Sequence, residues 1–133
     1  MMTKRFETIN GKTADIIDAV MSSTDIPSNE NLRFKIRLAV EEAVENIVQY
    51  AYPNGQGWIN ITTDILENNL VITLQDGGIP FNPLDKEDPD LTISADERQI
   101  GGLGIFLCKQ LMDDVSYTYS NKQNTLQFKI KIK

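Results

Sequence analysis

Glu42 and Asn46 stand four positions apart, a spacing that on a helix puts an acid and an amide on one face, one turn from each other. Such a pair can supply a proton acceptor and an oxygen ligand for a hard cation such as Mg²⁺. Glu41 and Glu45 lie in the same run, so the pair reads equally as part of a solvated helix stripe. Further along come Asp76-Gly77-Gly78 and then Gly101-Gly102-Leu103-Gly104, the latter running directly into apolar Ile105 to Met112. Bare backbone at a helix start approaches an anion closely and points free N–H groups at it, the chemistry of a phosphate-binding loop. Glycines also serve ordinary turns, so the loop alone decides little.

Asp76 adds a second kind of site. By strand parity it shares a face with Leu70, Ile72 and Leu74, the expected core side. A carboxylate there costs several kcal/mol unless donors reach it, and a ligand amino group such as the exocyclic amine of adenine is one such donor. The competing reading ends the strand at Gln75 and lets Asp76 open a turn with the two glycines.

These residues need elements to position them. Lys4 to Ile9 reads as an edge strand. Thr13 to Met21 places Ile16, Ile17, Val20 and Met21 on one face of a short helix, and Pro27-Ser28-Asn29-Glu30 offers helix-start residues. From Leu32 to Tyr52, Phe34, Leu38, Ala39, Ala43, Val44, Ile47, Val48 and Ala51 recur at helical steps, until Pro53-Asn54-Gly55-Gln56-Gly57 stops the run. Ala39 and Ala43 leave room beside the Glu42 and Asn46 face.

Ile59, Ile61, Thr63 and Ile65 then alternate with Trp58, Asn60, Thr62 and Asp64. After a turn at Glu67-Asn68-Asn69, Leu70, Ile72 and Leu74 alternate with Val71, Thr73 and Gln75, giving two strands. Pro80 to Arg98 is polar, acidic and proline-bearing, a length that in a small domain suits a functional lid. A helix from Leu103 to about Met112 and strands near Val115–Tyr119 and Thr125–Ile132 complete the chain. This order predicts an α+β fold in two layers. One domain, 1–133, is expected, since 133 residues suit a single core.

Composition removes whole classes of function. There is no histidine, which excludes Ser-His-Asp and Cys-His catalysis, histidine zinc sites and a self-phosphorylating histidine within these residues. A single cysteine, Cys108, forms no internal disulfide and reads as a small buried hydrophobe. The net charge of −6 and pI near 4.6 argue against a general affinity for nucleic acid. Lys129, Lys131 and Lys133 alternate with Ile130 and Ile132, a strand with one solvated face. Met1 to Phe6 lacks the apolar core of a signal peptide and no run approaches membrane-spanning length, so a cytoplasmic location without membrane contact is expected.

Taken in order, the motifs resemble those of the ATP-binding domain shared by gyrase, heat-shock chaperones, sensor histidine kinases and mismatch-repair ATPases, the histidine-kinase-like ATPase (GHKL, HATPase_c) superfamily. Within it, the likeness is to the stand-alone anti-sigma-factor serine kinases and runs from about Phe6 to Ile132. Leu38-Ala39-Val40-Glu41-Glu42-Ala43-Val44-Glu45-Asn46 resembles the family's N box. Asp76-Gly77-Gly78 resembles its first glycine box and Gly101-Gly102-Leu103-Gly104-Ile105 its second.

The resemblance implies a Bergerat-type two-layer sandwich, a mixed, mostly antiparallel sheet covered on one face by helices. It implies ATP and Mg²⁺ as cofactors, with Asn46 binding the metal and Glu42 as general base. Asp76 would accept from the adenine amine and Gly78 would let the base approach. Gly101, Gly102, Leu103 and Gly104 would form the phosphate loop, Arg98 would add charge or stand as an exposed lid arginine, and 79–100 would be the ATP lid.

Three positions depart from the pattern. Tyr50 stands where the family often has histidine, and Pro80 where a further glycine is common. In the last strand, parity with Leu126, Phe128 and Ile130 turns Asn124 inward and Thr125 outward, so Asn124 takes the place of the family's adenine-side threonine.

The implied activity is a partner-switching protein serine kinase. Its expected partners are a small anti-anti-sigma-type antagonist carrying the acceptor serine, a sigma factor or other transcription regulator, and a second copy in a homodimer, with no nucleic acid bound directly. A non-catalytic, ATP-dependent protein-binding module and a simple ATPase are the alternatives.

Overall fold

The computed structural model describes residues 1–54, 56–85 and 103–133. Its elements run β1 (Met2–Phe6), α1 (Thr13–Met21), α2 (Glu30–Asn46), a π-helical turn (Ile47–Ala51), β2 (Ile59–Leu66) and β3 (Asn69–Asp76). A short 3₁₀ turn (Pro83–Asp85), α3 (Leu103–Leu111), β4 (Asp114–Ser120) and β5 (Gln123–Lys131) follow. The five strands form one sheet in the order β1-β2-β3-β5-β4, antiparallel at every pairing. Helices cover one face, giving the two-layer α+β arrangement.

Local chemistry explains most boundaries. Asn29 caps α2 by accepting the Leu32 N–H at 3.0 Å, and Glu30 sits in the first turn, where the helix dipole favours an acid. The hairpin joining β2 and β3 turns on Glu67 at φ 59°, and that joining β4 and β5 on Asn121 at 54° and Lys122 at 63°. In the second hairpin, left-handed φ at both central residues matches the right-handed twist of the flanking strands.

Core formation follows strand parity. Ile59, Ile61, Leu70, Ile72, Leu74, Leu126, Phe128 and Ile130 turn inward against Ile16, Val20, Ile36, Val40 and Val44 from the helices. The opposite face is mostly polar apart from Val71, and hydrogen-bonded across strands, as in the Gln127 Nε2 to Thr73 Oγ1 bond at 3.2 Å.

Four expectations need correction. Phe34 was expected on the buried face of the long helix, yet it is 63% exposed and Leu38 is half-buried. Ile36 and Val40, left off that face, are fully buried. Ala39, Ala43, Val44, Ile47 and Ala51 are buried as expected, so the stripe differs mainly at its N-terminal end, where α2 carries apolar residues on more than one side. The helix also does not continue as one α-helix to Tyr52, since its last residues widen into the π turn. The first strand lies at Met2–Phe6 rather than Lys4–Ile9, with Ile9 buried beyond it and its N–H bonded to Gly57 O at 2.8 Å. Ile65, expected inward with Thr63, is 42% exposed because β2 runs past the core at its hairpin end.

Thr63 occupies a core position on β2 with no exposure, and its hydroxyl is not wasted. It donates to Asp25 Oδ2 at 2.9 Å and shares a 2.8 Å bond with Ser23 Oγ, tying the α1–α2 loop to the sheet. Among the described residues no helix is long and apolar enough to cross a membrane.

Candidate functional site

The site is built where the C-terminal end of β3, the start of β5 and the end of α2 converge. Antiparallel register sets Asp76 directly opposite Asn124, and both point inward, 2% and 4% exposed. Asp76 Oδ1 accepts two bonds of 2.9 Å, from Gly78 N–H and from Asn124 Nδ2. Burial still dominates and holds this carboxyl above its ordinary value, with the two bonds opposing the shift. No hydrogen bond from a described residue reaches Asp76 Oδ2, so a buried acceptor is left for an outside donor.

Asn124 is saturated. Nδ2 donates to Asp76 Oδ1 and to Ile79 O at 2.8 Å, while Oδ1 accepts from Phe81 N–H at 3.1 Å and from the Tyr117 hydroxyl. The amide thereby pins the segment leaving Gly78 to the strand.

Asn46 ends α2, 8% exposed, and its side chain makes no hydrogen bond to a described residue. It lines the same pocket as Ala43, Ile47, Asp76, Tyr117 and Asn124, with Phe81 and Pro83 across the mouth. The remaining space is about 20 Å³, room for roughly one water. Tyr50 and Phe81 stack with centroids 4.8 Å apart, so the Tyr50 position braces the segment that closes the pocket.

Gly78 has a packing reason of its own. A Cβ there would lie 2.2 Å from Ala51 O and 2.6 Å from Ala51 C, backbone atoms that cannot step aside. The π turn leaves Ala51 O to accept the Ile79 N–H at 2.8 Å. Such widened turns recur at functional sites. Gly77 N–H donates to the Tyr52 hydroxyl at 2.7 Å, and a Cβ at Gly77 would collide with Trp58 Nε1 at 2.5 Å.

Glu42 lies one turn before Asn46, half-buried beneath the first turn of α3, while Glu41 and Glu45 are exposed. A Cβ at Gly104 would stand 2.8 Å from Glu42 Oε2, so the missing side chain is what lets the carboxylate tuck there. Burial, followed by the charges of Glu41 and Glu45, holds the Glu42 carboxyl above its ordinary value. Cys108 packs below, fully buried, with Sγ 3.4 Å from Ala39 O. Burial and then the Glu42 charge push its thiol up to about 12, consistent with a structural cysteine.

The structure therefore brings together Glu42, Asn46, Asp76, Gly78, Gly104 and Asn124, with Leu103 opening α3. Arg98, Gly101, Gly102 and most of the expected lid, 86–100, lie outside the described residues. Sequence reasoning missed Tyr117 and Phe81. Tyr117 was legible from parity, because on β4 it alternates with solvent-facing Ser116 and Thr118 and pairs with buried Leu126. Among the described residues no group of three or more His, Cys, Asp or Glu is arranged to hold a metal ion.

A two-layer fold with an acid–amide helix face, a buried strand-end aspartate and a glycine start to the next helix defines an ATP-binding domain of the histidine-kinase type. The sequence profile described as the histidine kinase-like ATPase domain matches residues 10–130, and the chain belongs to that family.

The chain is similar to serine-protein kinase RsbW of Bacillus cereus (strain AH820), 34% identical over 98 residues, covering 71% of this chain and 61% of that protein. RsbW of Staphylococcus aureus (strain JH9) is 38% identical over 91 residues, covering 60% and 54%. The chain thus spans less than two thirds of these relatives' length. Among solved structures, the catalytic domain of histidine kinase ThkA matches with a TM-score of 0.57 at 16% identity, covering 99% of this chain and 97% of that one. The histidine kinase domain of the Erythrobacter litoralis EL346 blue-light activated kinase matches at 0.56 and 17%, covering 92% and 58%. At those identities the likeness is one of fold.

Proposed function

We propose that this chain is an ATP-dependent protein serine kinase acting as a partner switch. It binds ATP with Mg²⁺ and phosphorylates a serine on a small antagonist protein of the anti-anti-sigma type, with a sigma factor or similar regulator as its other partner. The observation that carries the reading is a pair of buried polar groups on one pocket, Asp76 Oδ2 and the Asn46 amide, that no described residue satisfies.

The residues fit the nucleotide. An exocyclic amine supplies the donor that Asp76 Oδ2 lacks. The Asn46 carbonyl is a hard oxygen of the kind Mg²⁺ accepts, and that ion usually needs only one or two protein ligands beside phosphate oxygens and water. Bound ATP–Mg²⁺ supplies an activated phosphoryl group with its charge partly neutralised.

The chain's own residues position and deprotonate. Asp76 would orient the base and Asn46 would hold the metal. By the same resemblance, backbone N–H groups of Gly101, Gly102, Leu103 and Gly104 would hold phosphate oxygens, with Arg98 adding charge. Glu42 accepts the proton of the attacking serine hydroxyl as its oxygen bonds to the γ-phosphorus and the bond to ADP breaks. Its raised pKa suits a general base.

In this reading the Phe81–Pro83 stretch shifts for a purine to enter, and the segment 79–100 serves as the lid of a single domain spanning 1–133. The protein works as a cytoplasmic homodimer in this reading. Incubation with γ-labelled ATP, Mg²⁺ and candidate antagonists tests it. Label on a partner serine supports the proposal. Release of free phosphate alone means a simple ATPase, and nucleotide binding without turnover means a non-catalytic binding module.

A further inference from the structure

The orientation of the Asn124 amide is fixed by obligate partners on both sides. Phe81 N–H can only donate, so Oδ1 must face it, whereas Ile79 O and the Asp76 carboxylate can only accept, so Nδ2 must face them. A flipped amide would set donor against donor and acceptor against acceptor. The Tyr117 hydroxyl, reaching in from β4, adds the second bond to Oδ1 and completes the four. With its capacity used, Asn124 has no group left for a direct contact to a ligand. It acts on Asp76 instead, and because both donors to Asp76 converge on Oδ1, the carboxylate cannot rotate without losing both.

We propose that Tyr117 and Asn124 are positioning residues for purine selectivity, a hydrogen-bonded chain from the edge strand β4 through β5 to β3. It locks Asp76 so that Oδ2 stands as the acceptor for an exocyclic amine and rejects a purine with a carbonyl there. This rests on reading the pocket as the adenine site, and goes beyond it by assigning selectivity to residues that need not touch the base. A carbonyl brought against a fixed, acceptor-only carboxylate oxygen sets acceptor against acceptor, which a site built for a donor rejects strongly. A freed carboxylate turns away and discriminates less.

The test measures Mg²⁺-dependent affinities of the full chain for ATP and for inosine triphosphate, which carries a carbonyl in place of the amine. The proteins are wild type, Asp76→Asn, Tyr117→Phe and Asn124→Ala. Wild type is expected to prefer ATP, and Asp76→Asn to lose that preference. Tyr117→Phe should cut it by about two- to tenfold, the range of one hydrogen bond, and Asn124→Ala by at least as much. Affinity for the inosine nucleotide should stay within about twofold in Tyr117→Phe, whereas a general folding defect weakens both nucleotides alike.

Full wild-type preference in Tyr117→Phe, or equal weakening of both nucleotides, overturns the positioning role while leaving the adenine site intact. No preference in wild type, or full preference in Asp76→Asn, overturns the adenine site itself. A second measurement on the wild type guards against variants that do not fold. The Asn124 side-chain amide protons should exchange with solvent far more slowly than those of exposed Asn54 and Asn121, and equal exchange rates overturn the proposal.

Discussion

Replacing Asp76 by Asn separates what the site costs the fold from what it gives the ligand. The new amide oxygen can take the place of Oδ1 and keep the bonds from Gly78 N–H and Asn124 Nδ2, both 2.9 Å. The new NH₂ then stands where Oδ2 was, a donor facing a donor. Losing a hydrogen bond to a charged acceptor removes about 1.5–3 kcal/mol, so ATP affinity should fall roughly ten- to hundredfold.

Stability should move the other way. Burial raises the Asp76 carboxyl above its ordinary 3.8, so between the ordinary and the raised value the folded state holds a proton that the unfolded state has lost. Unfolding free energy therefore declines as pH climbs through that window, and at neutral pH the ionised group is a net burden. Asparagine removes that burden. Glu42 is shifted in the same direction but is present in both proteins, so the difference between them isolates Asp76. Calorimetric titration with ATP–Mg²⁺ and urea unfolding at a series of pH values from 3 to 8 read the two effects. A variant less stable than wild type at pH 7 that binds ATP unchanged would refute the reasoning on both counts.

Gly78→Ala must push the chain off the Ala51 carbonyl, breaking the Ile79 N–H to Ala51 O bond; a loss of about 3 kcal/mol in urea unfolding is expected. Cys108 should resist a thiol reagent at pH 8 in the native protein and react promptly in denaturant, because it is buried with its thiol pushed up to about 12. Lys122→Gly relieves a left-handed residue at φ 63° and should stabilise the fold by about 0.5–1 kcal/mol, read as a raised thermal midpoint.

Where one side chain decides its own direction, the sequence was readable. Strand parity alone puts Asp76 and Asn124 on the buried face, because a period of two allows only two outcomes per residue. The helix allowed more. With Phe34, Ile36, Leu38 and Val40 all apolar and only some of them buried, periodicity alone could not choose the stripe, and the sheet beneath made the choice. The π turn was invisible for a related reason. It follows a register in which Ala51 O meets Ile79 N–H, a contact between segments distant in sequence.

The same holds for the Tyr117, Asn124 and Asp76 chain. Each residue could be assigned a face, but only strand order β3-β5-β4 brings the three side by side. The resemblance singles out Glu42 from Glu41 and Glu45, and the fold adds a physical difference that periodicity does not give, since Glu42 is half-buried and the other two are exposed.

That distinction supplies the most direct test of the central claim, that Glu42 is the base of a serine kinase. The measurement is the single-turnover rate of γ-phosphoryl transfer to the antagonist serine in Glu42→Gln and Glu41→Gln beside wild type, with ATP affinity measured on each. Glutamine keeps the size of the side chain and removes its proton affinity. The account predicts that Glu42→Gln slows transfer by about 10²–10⁴-fold with ATP affinity little changed, and that Glu41→Gln, exposed on another side of α2, transfers at the wild-type rate. Wild-type transfer by Glu42→Gln, or its loss in Glu41→Gln alone, would contradict it.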